Sequence, residues 1–194
     1  RFYNKRSFRL QEHLLRLERS ARAIALQLPY SLQQMAEFIA ATVNAANFDN
    51  GYLRVVITRG AGSLGIEPRN CAQPDFFVID DTLQMVKAEA RENGARLIIA
   101  STRRLPMDGL DPRVKSLNYL NHILARIEAN QAGMDEAILL NRNGHVAEGT
   151  ADNIFIVHNG VLLTPPVSDG ALEGITRNLI IELALRNQIP LQEK

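Results

Sequence analysis

A chain of 194 residues, 46% hydrophobic and 22% charged, is long enough to bury one large core or two smaller ones, and its composition is that of a globular protein. A formal net charge of +1 gives no reason to expect nucleic acid or an anionic membrane surface as partner, and no apolar run approaches a membrane span. Cys71 is the only cysteine, which excludes an intrachain disulfide and suits a reducing, cytoplasmic compartment.

Leu10, Leu14, Leu17, Ala21 and Ile24 are spaced three or four apart and predict a helix over 10–27, stopped by Pro29. Ser31 with Gln34 three residues on is a capping-box pattern opening a second helix to about Asn44. After the Asn50-Gly51 turn signal, Leu53 to Thr58 and Phe76 to Ile79 read as strands. A short helix is expected over 82–92 and a third strand from Leu97 to Ala100. Residues 102–113, with Pro106, Gly109, Pro112 and several charges, read as a linker between a domain over 1–101 and one over 114–194.

Leu117, Leu120, Leu124 and Ile127 then mark a helix over 116–132, stopped at Gly133. Short strands follow near 136–140, 145–147, 152–157 and 161–163, with Asn143-Gly144 and Asn159-Gly160 as hairpin turns. A last helix runs from Thr176 to about Asn187, and Ile189-Pro190-Leu191 reads as a connection leading into a strand. The first residues, Arg1-Phe2-Tyr3, lack Met, and both ends read as cuts in a longer chain.

Gly60-Ala61-Gly62-Ser63-Leu64-Gly65 matches the dinucleotide fingerprint G-x-G-x-x-G, with Asp80 and Asp81 where a ribose-binding acid would stand. That fingerprint must open a helix whose N-terminus faces the pyrophosphate. Here Ile66-Glu67-Pro68-Arg69-Asn70 and Pro74 leave no room for one, so a glycine-rich loop between antiparallel strands is the better reading. His13, His122, His145 and His158 lack metal-ligand spacing, and no metal site is expected.

Three other features carry chemistry. Gly174-Ile175-Thr176-Arg177 precedes an apolar-periodic helix, where free N–H groups and the helix dipole favour an anion. A plain helix cap at Thr176 is the simpler account of those residues alone. Lys115 stands just before the 116–132 helix, a place the dipole disfavours, and an amine that captures an aldehyde needs a depressed pKa from burial or cationic neighbours. Glu148 lies between two apolar strands, flanked by small Ala147 and Gly149. Alone it reads as a turn carboxylate. With the other two it completes what pyridoxal 5'-phosphate (PLP) requires, namely a phosphate cup, an amine and an acid for the ring nitrogen.

The order of these motifs resembles the fold-type IV PLP enzymes. Phe8 to Leu17 is similar to their FRLxEHxxRL helix, Lys115 to Asn121 to KSLNYLN, Glu148 to Phe155 to EGTxxNIF, and Leu172 to Arg177 to LxGITR. The resemblance implies an α/β (α+β) fold, with a small α/β domain and a larger domain holding a pseudo-barrel of mixed strands, both truncated here. It implies that Lys115 holds the cofactor and moves the substrate proton, and that Glu148 meets the pyridine nitrogen. Arg16, Gly174, Ile175 and Thr176 would bind the phosphate, Leu172 would pack under the ring, and Tyr119 would bond the phenolic oxygen. Tyr119 stands one residue closer to the lysine than in many bacterial branched-chain members.

Tyr52-Leu53-Arg54 is similar to the YxR of branched-chain aminotransferases, in which tyrosine helps bind the α-carboxylate and arginine the side-chain carboxylate of glutamate. The resemblance therefore favours transamination between branched-chain L-amino acids and 2-oxoglutarate. D-amino-acid transaminases and aminodeoxychorismate lyases of the same fold are the alternatives, and a PLP-binding module without turnover is the non-enzymatic one. The family's loop after YxR reaches into the neighbouring subunit of a homodimer, so Leu64 and Ile66 would line the pocket in trans. Amino acids and 2-oxo acids are the expected partners, together with a second copy of the chain.

Overall fold

The computed structural model describes residues 1–82 and 92–194. The helix expected over 82–92 falls outside these residues, its two end positions apart. The chain forms two compact units, Arg1–Met85 and Val86–Lys194, so residues 102–113 lie inside the second.

The first unit opens with β1 (Phe2–Tyr3) and β2 (Arg6–Ser7), joined through Asn4 and Lys5 at φ 49° and 60°, the left-handed pair of a tight hairpin turn. Helices α1 (Leu10–Ala23) and α2 (Leu32–Ala45) follow. The capping box of α2 forms as its sequence predicts: Ser31 Oγ accepts from the Gln34 N–H at 3.2 Å and Gln34 Oε1 from the Ser31 N–H at 3.0 Å. Helix α1 stops four residues short of the expected end. Ala25 turns to φ 50°, and the Arg59 guanidinium takes the carbonyls of Ile24 and Ala25, which further helix would leave to the backbone.

Strands β3 (Tyr52–Thr58) and β4 (Asp75–Asp81) pair antiparallel, as expected for strands flanking a glycine-rich loop. Their period of two puts Leu53, Val55, Ile57, Phe76 and Val78 against Leu14, Met35 and Ile39 of the helices. Tyr52, Arg54, Phe77 and Ile79 fall on the opposite face.

The second unit uses one plan twice. In its first sheet, β5 (Leu97–Ile99) runs parallel to β6 (Glu136–Leu140) across the helix α3 (Leu120–Gln131), and β6 pairs antiparallel with β7 (Val146–Gly149). In its second, β8 (Ile156–His158) and β9 (Val161–Thr164) form a hairpin, and β9 runs parallel to β10 (Leu191–Glu193) across α4 (Ile175–Arg186). Each helix supplies the crossover a parallel pair requires. The Asn159-Gly160 turn has φ 49° and 76°, as its sequence predicts.

Helix α3 begins at Leu120, four residues later than the periodicity indicates. Ahead of it the chain makes tight turns, with the Ser116 N–H bonded to Val114 O, the Tyr119 N–H to Leu117 O, and Ser116 Oγ accepting from the Asn118 N–H. The buried face also differs. Ala125 and Ala129 pack on Ala100, Ala137 and Leu139, while Leu120, Ile123, Leu124 and Ile127 are exposed. The small side chains bring the helix close to the sheet.

Candidate active site

Glu148 is the centre of a polar cluster in the second unit. It sits on β7 opposite Leu139 of β6, and cross-strand partners share a sheet face. That face carries α3, so a carboxylate there is buried and must find partners. Glu148 Oε1 lies 2.9 Å from Arg104 Nε and 3.3 Å from His122 Nε2, and Oε2 accepts from the Leu172 N–H at 2.8 Å. Glu148 is thus a bound interior carboxylate rather than an exposed turn acid.

Arg104 enters from the segment read as a linker. Its N–H bonds to Leu140 O at 2.8 Å, which fixes its backbone at the end of β6, and its side chain is buried. Nε also donates to Gly170 O at 2.9 Å. Burial pushes the guanidinium pKa down from its ordinary value, and the Glu148 charge opposes that shift.

Lys115 lies in the turns before α3, not at a helix start, so the dipole does not explain its position. Its side chain is exposed, and Nζ is 3.0 Å from the Tyr119 hydroxyl and 5.6 Å from that ring's centre. The Tyr119 ring in turn lies 5.7 Å from the His122 ring. A chain of contacts therefore runs from Lys115 through Tyr119 and His122 to Glu148.

On the other side of Glu148 stands the start of α4. The N-cap is Gly174 rather than Thr176, which is the second helical residue and exposes its side chain. The first-turn N–H groups of Ile175, Thr176 and Arg177 have no acceptor in the helix. Asn153, in the loop after β7, donates to Leu172 O at 2.9 Å. A Cβ at Gly174 would stand 2.0 Å from Asn153 Oδ1, so only glycine allows this approach. Arg177 is buried and donates to Pro165 O at 2.9 Å and to Glu193 Oε2 at 2.5 Å, tying α4 to the strands beside it.

Lys115, Tyr119, Glu148, Leu172, Gly174, Ile175 and Thr176 all belong to this unit. They offer a reachable amine, a buried carboxylate and a helix start with a free hydroxyl, and these fit a phosphorylated pyridine aldehyde. The remaining expected residues lie in the first unit. Arg16 is buried in α1. Tyr52 is half-buried and Arg54 exposed on the outer face of β3, and Leu64 and Ile66 are fully exposed in the loop between β3 and β4. Sequence reasoning missed Arg104, His122 and Asn153. Arg104 was hidden among charges that read as a solvated linker, and only the spacing of Asn153 from Glu148 gave any signal.

The model of the amino-transferase class IV family matches residues 1–194. A Methanocaldococcus jannaschii protein provisionally named a branched-chain-amino-acid aminotransferase is 46% identical over 194 residues, covering 100% of this chain and 66% of the relative. A D-alanine aminotransferase of Listeria monocytogenes is 36% identical over 195 residues, covering 100% of this chain and 66% of the relative. Among solved structures, the branched-chain aminotransferase of Thermoproteus uzoniensis with norvaline superposes with a TM-score of 0.90 at 38% identity, over 100% of this chain and 65% of that one. The chain thus spans just under two thirds of the length of these proteins.

Proposed function

The chain belongs to the amino-transferase class IV family, and from that premise we propose that it acts in PLP-dependent transamination between branched-chain L-amino acids and 2-oxoglutarate. The observation that carries the reading is the contact chain from Lys115 to the buried, ion-paired Glu148, with the α4 N-terminus tied to the same carboxylate through Leu172. Bound PLP supplies an electron sink for the charge left when the substrate loses its Cα proton.

The residues divide the remaining work. Lys115 would hold the cofactor covalently and would move the proton at the substrate Cα. Tyr119 orients the lysine and bonds the ring's phenolic oxygen. Glu148 holds the proton on the ring nitrogen, since an adjacent anion favours the charged ring. Gly174, Ile175 and Thr176 would hold the phosphate with backbone N–H groups and a hydroxyl. Leu172 packs under the ring.

Tyr52 and Arg54 receive the substrate carboxylates, and the relative of M. jannaschii supports the branched-chain choice. The D-alanine relative supports the alternative substrate. The exposed Leu64 and Ile66, with the apolar outer face of α3, support assembly with a second copy of the chain. Among the described residues no helix is long and apolar enough to cross a membrane.

Full-length protein mixed with PLP should develop a visible absorption band that Lys115→Ala abolishes. It should then move amino groups between L-leucine, L-isoleucine or L-valine and 2-oxoglutarate. Turnover of D-alanine with none of L-leucine would overturn the substrate while leaving the cofactor. PLP binding without the visible band would make the protein a binding module.

A further inference from the structure

We propose that Arg104 is a positioning residue for Glu148, filling Oε1 together with His122 so that Oε2 is the oxygen offered to the ring-nitrogen proton of PLP. The inference rests on the cofactor reading above.

An ionised carboxylate has about four acceptor sites, two on each oxygen. Arg104 Nε, whose one N–H also serves Gly170 O, and His122 Nε2 both lie against Oε1, and the Leu172 N–H takes one site of Oε2. One site remains, on Oε2. His122 Nδ1 is buried with no partner among the described residues. An orphan acceptor costs less than an orphan N–H, so the arrangement suits a His122 tautomer that donates from Nε2. Arg104 is the cation paired with Glu148, at 2.9 Å from Oε1. Without it, the buried carboxylate loses the partner that fixes which of its oxygens faces the site.

The guanidinium is itself constrained. Nε is shared between Glu148 Oε1 and Gly170 O, and Nη1 stands 3.5 Å from Asn121 Oδ1. Gly170 has φ +100°, and a Cβ there would meet Arg104 Cγ at 3.1 Å, so the turn before Leu172 is shaped around the arginine stem. Among the described residues, the charged or titratable side chains that face Glu148 are Arg104, from the segment before α3, and His122, from α3. The Leu172 N–H completes the set.

The test is the nitrogen-15 NMR shift of ring-labelled PLP bound to the full-length protein. In the wild type the ring nitrogen should read as protonated. In Arg104→Met its signal should move towards that of Glu148→Gln, a ring without its carboxylate partner. Arg104→Lys, which keeps a charge, should hold it near the wild-type value. Circular dichroism establishes that each variant is folded.

If Arg104→Met does not fold, the comparison is between Glu148→Gln and the double variant Glu148→Gln with Arg104→Met, which removes both charges together. Their ring-nitrogen shifts should coincide, because Arg104 acts through Glu148. An unchanged ring nitrogen in Arg104→Met, or a difference between the last two proteins, overturns the proposal. A wild type that takes up no PLP overturns the cofactor reading and this inference with it.

Discussion

Glu148 and Arg54 are both charged, and both stand on strands, but in opposite settings. Glu148 is buried in the second unit, with each oxygen bonded and its neighbours fixed by further hydrogen bonds. Arg54 is exposed on the outer face of β3, beside a loop whose Leu64 and Ile66 touch only solvent. In the proposed function the first residue serves the cofactor and the second chooses the substrate. Chemistry common to a family can be wired into one unit in advance, while substrate choice rests on surfaces that need something else to complete them.

The most severe way to break this comparison is Glu148→Gln. The fold and the visible band should survive, while single-turnover proton removal from L-leucine falls by about 10²- to 10⁴-fold, the scale of a well-placed acid–base group. Undiminished turnover would show that the wiring around Glu148 serves only stability.

Next in size is Leu139→Ala. Leu139 is fully buried opposite Glu148, and its removal should cost about 2–5 kcal/mol in denaturant melts. A cost under about 1 kcal/mol would mean that the alanine-lined interface below α3 can collapse to fill the gap.

Arg54→Ala sharpens the other side. It should raise KM for 2-oxoglutarate by about 10- to 100-fold, the worth of one charge-assisted hydrogen-bonded pair, with little change for L-leucine. An equal rise for both substrates would assign Arg54 to the shared α-carboxylate instead.

The smallest effect belongs to Glu128. Hydrogen bonds from the hydroxyls and N–H groups of Thr102 and Ser101 hold its carboxyl down to about 2. A depressed carboxyl stabilises the fold above its unfolded pKa, and that contribution is lost as pH falls from about 4.5 towards 2. Glu128→Gln should therefore flatten the acid limb of a pH–stability curve by about 1 kcal/mol, given screening at the surface. An unaltered limb would mean that the same bonds form with the protonated acid.

Local rules made much of the architecture readable. The Ser31 capping box, the Asn159-Gly160 turn and the alternation of Leu53, Val55 and Ile57 each depend on near neighbours, and each formed. The misses were tertiary. Ser116 competes with the helix for its own backbone and delays α3, and Arg59, far along the chain, ends α1. Leu120, Leu124 and Ile127 marked a real helix, yet the alanines formed its buried stripe, because periodicity cannot say which face a neighbour covers.

The site followed the same division. Short motifs named Lys115, Glu148 and Gly174. Arg104 and Asn153 act on residues they meet only after folding, and only the spacing of Asn153 from Glu148 hinted at either.

Leu172 gives these contacts a mechanical meaning. Its N–H is held by Glu148 and its carbonyl by Asn153, two residues before the N-cap of α4. One peptide residue, gripped at both backbone groups, thus sets the gauge between a buried carboxylate and the start of a helix. That gauge belongs to the main chain and is indifferent to the side chain it carries. Position 172 is accordingly free to vary in apolar shape without changing the span between the two ends that grip it.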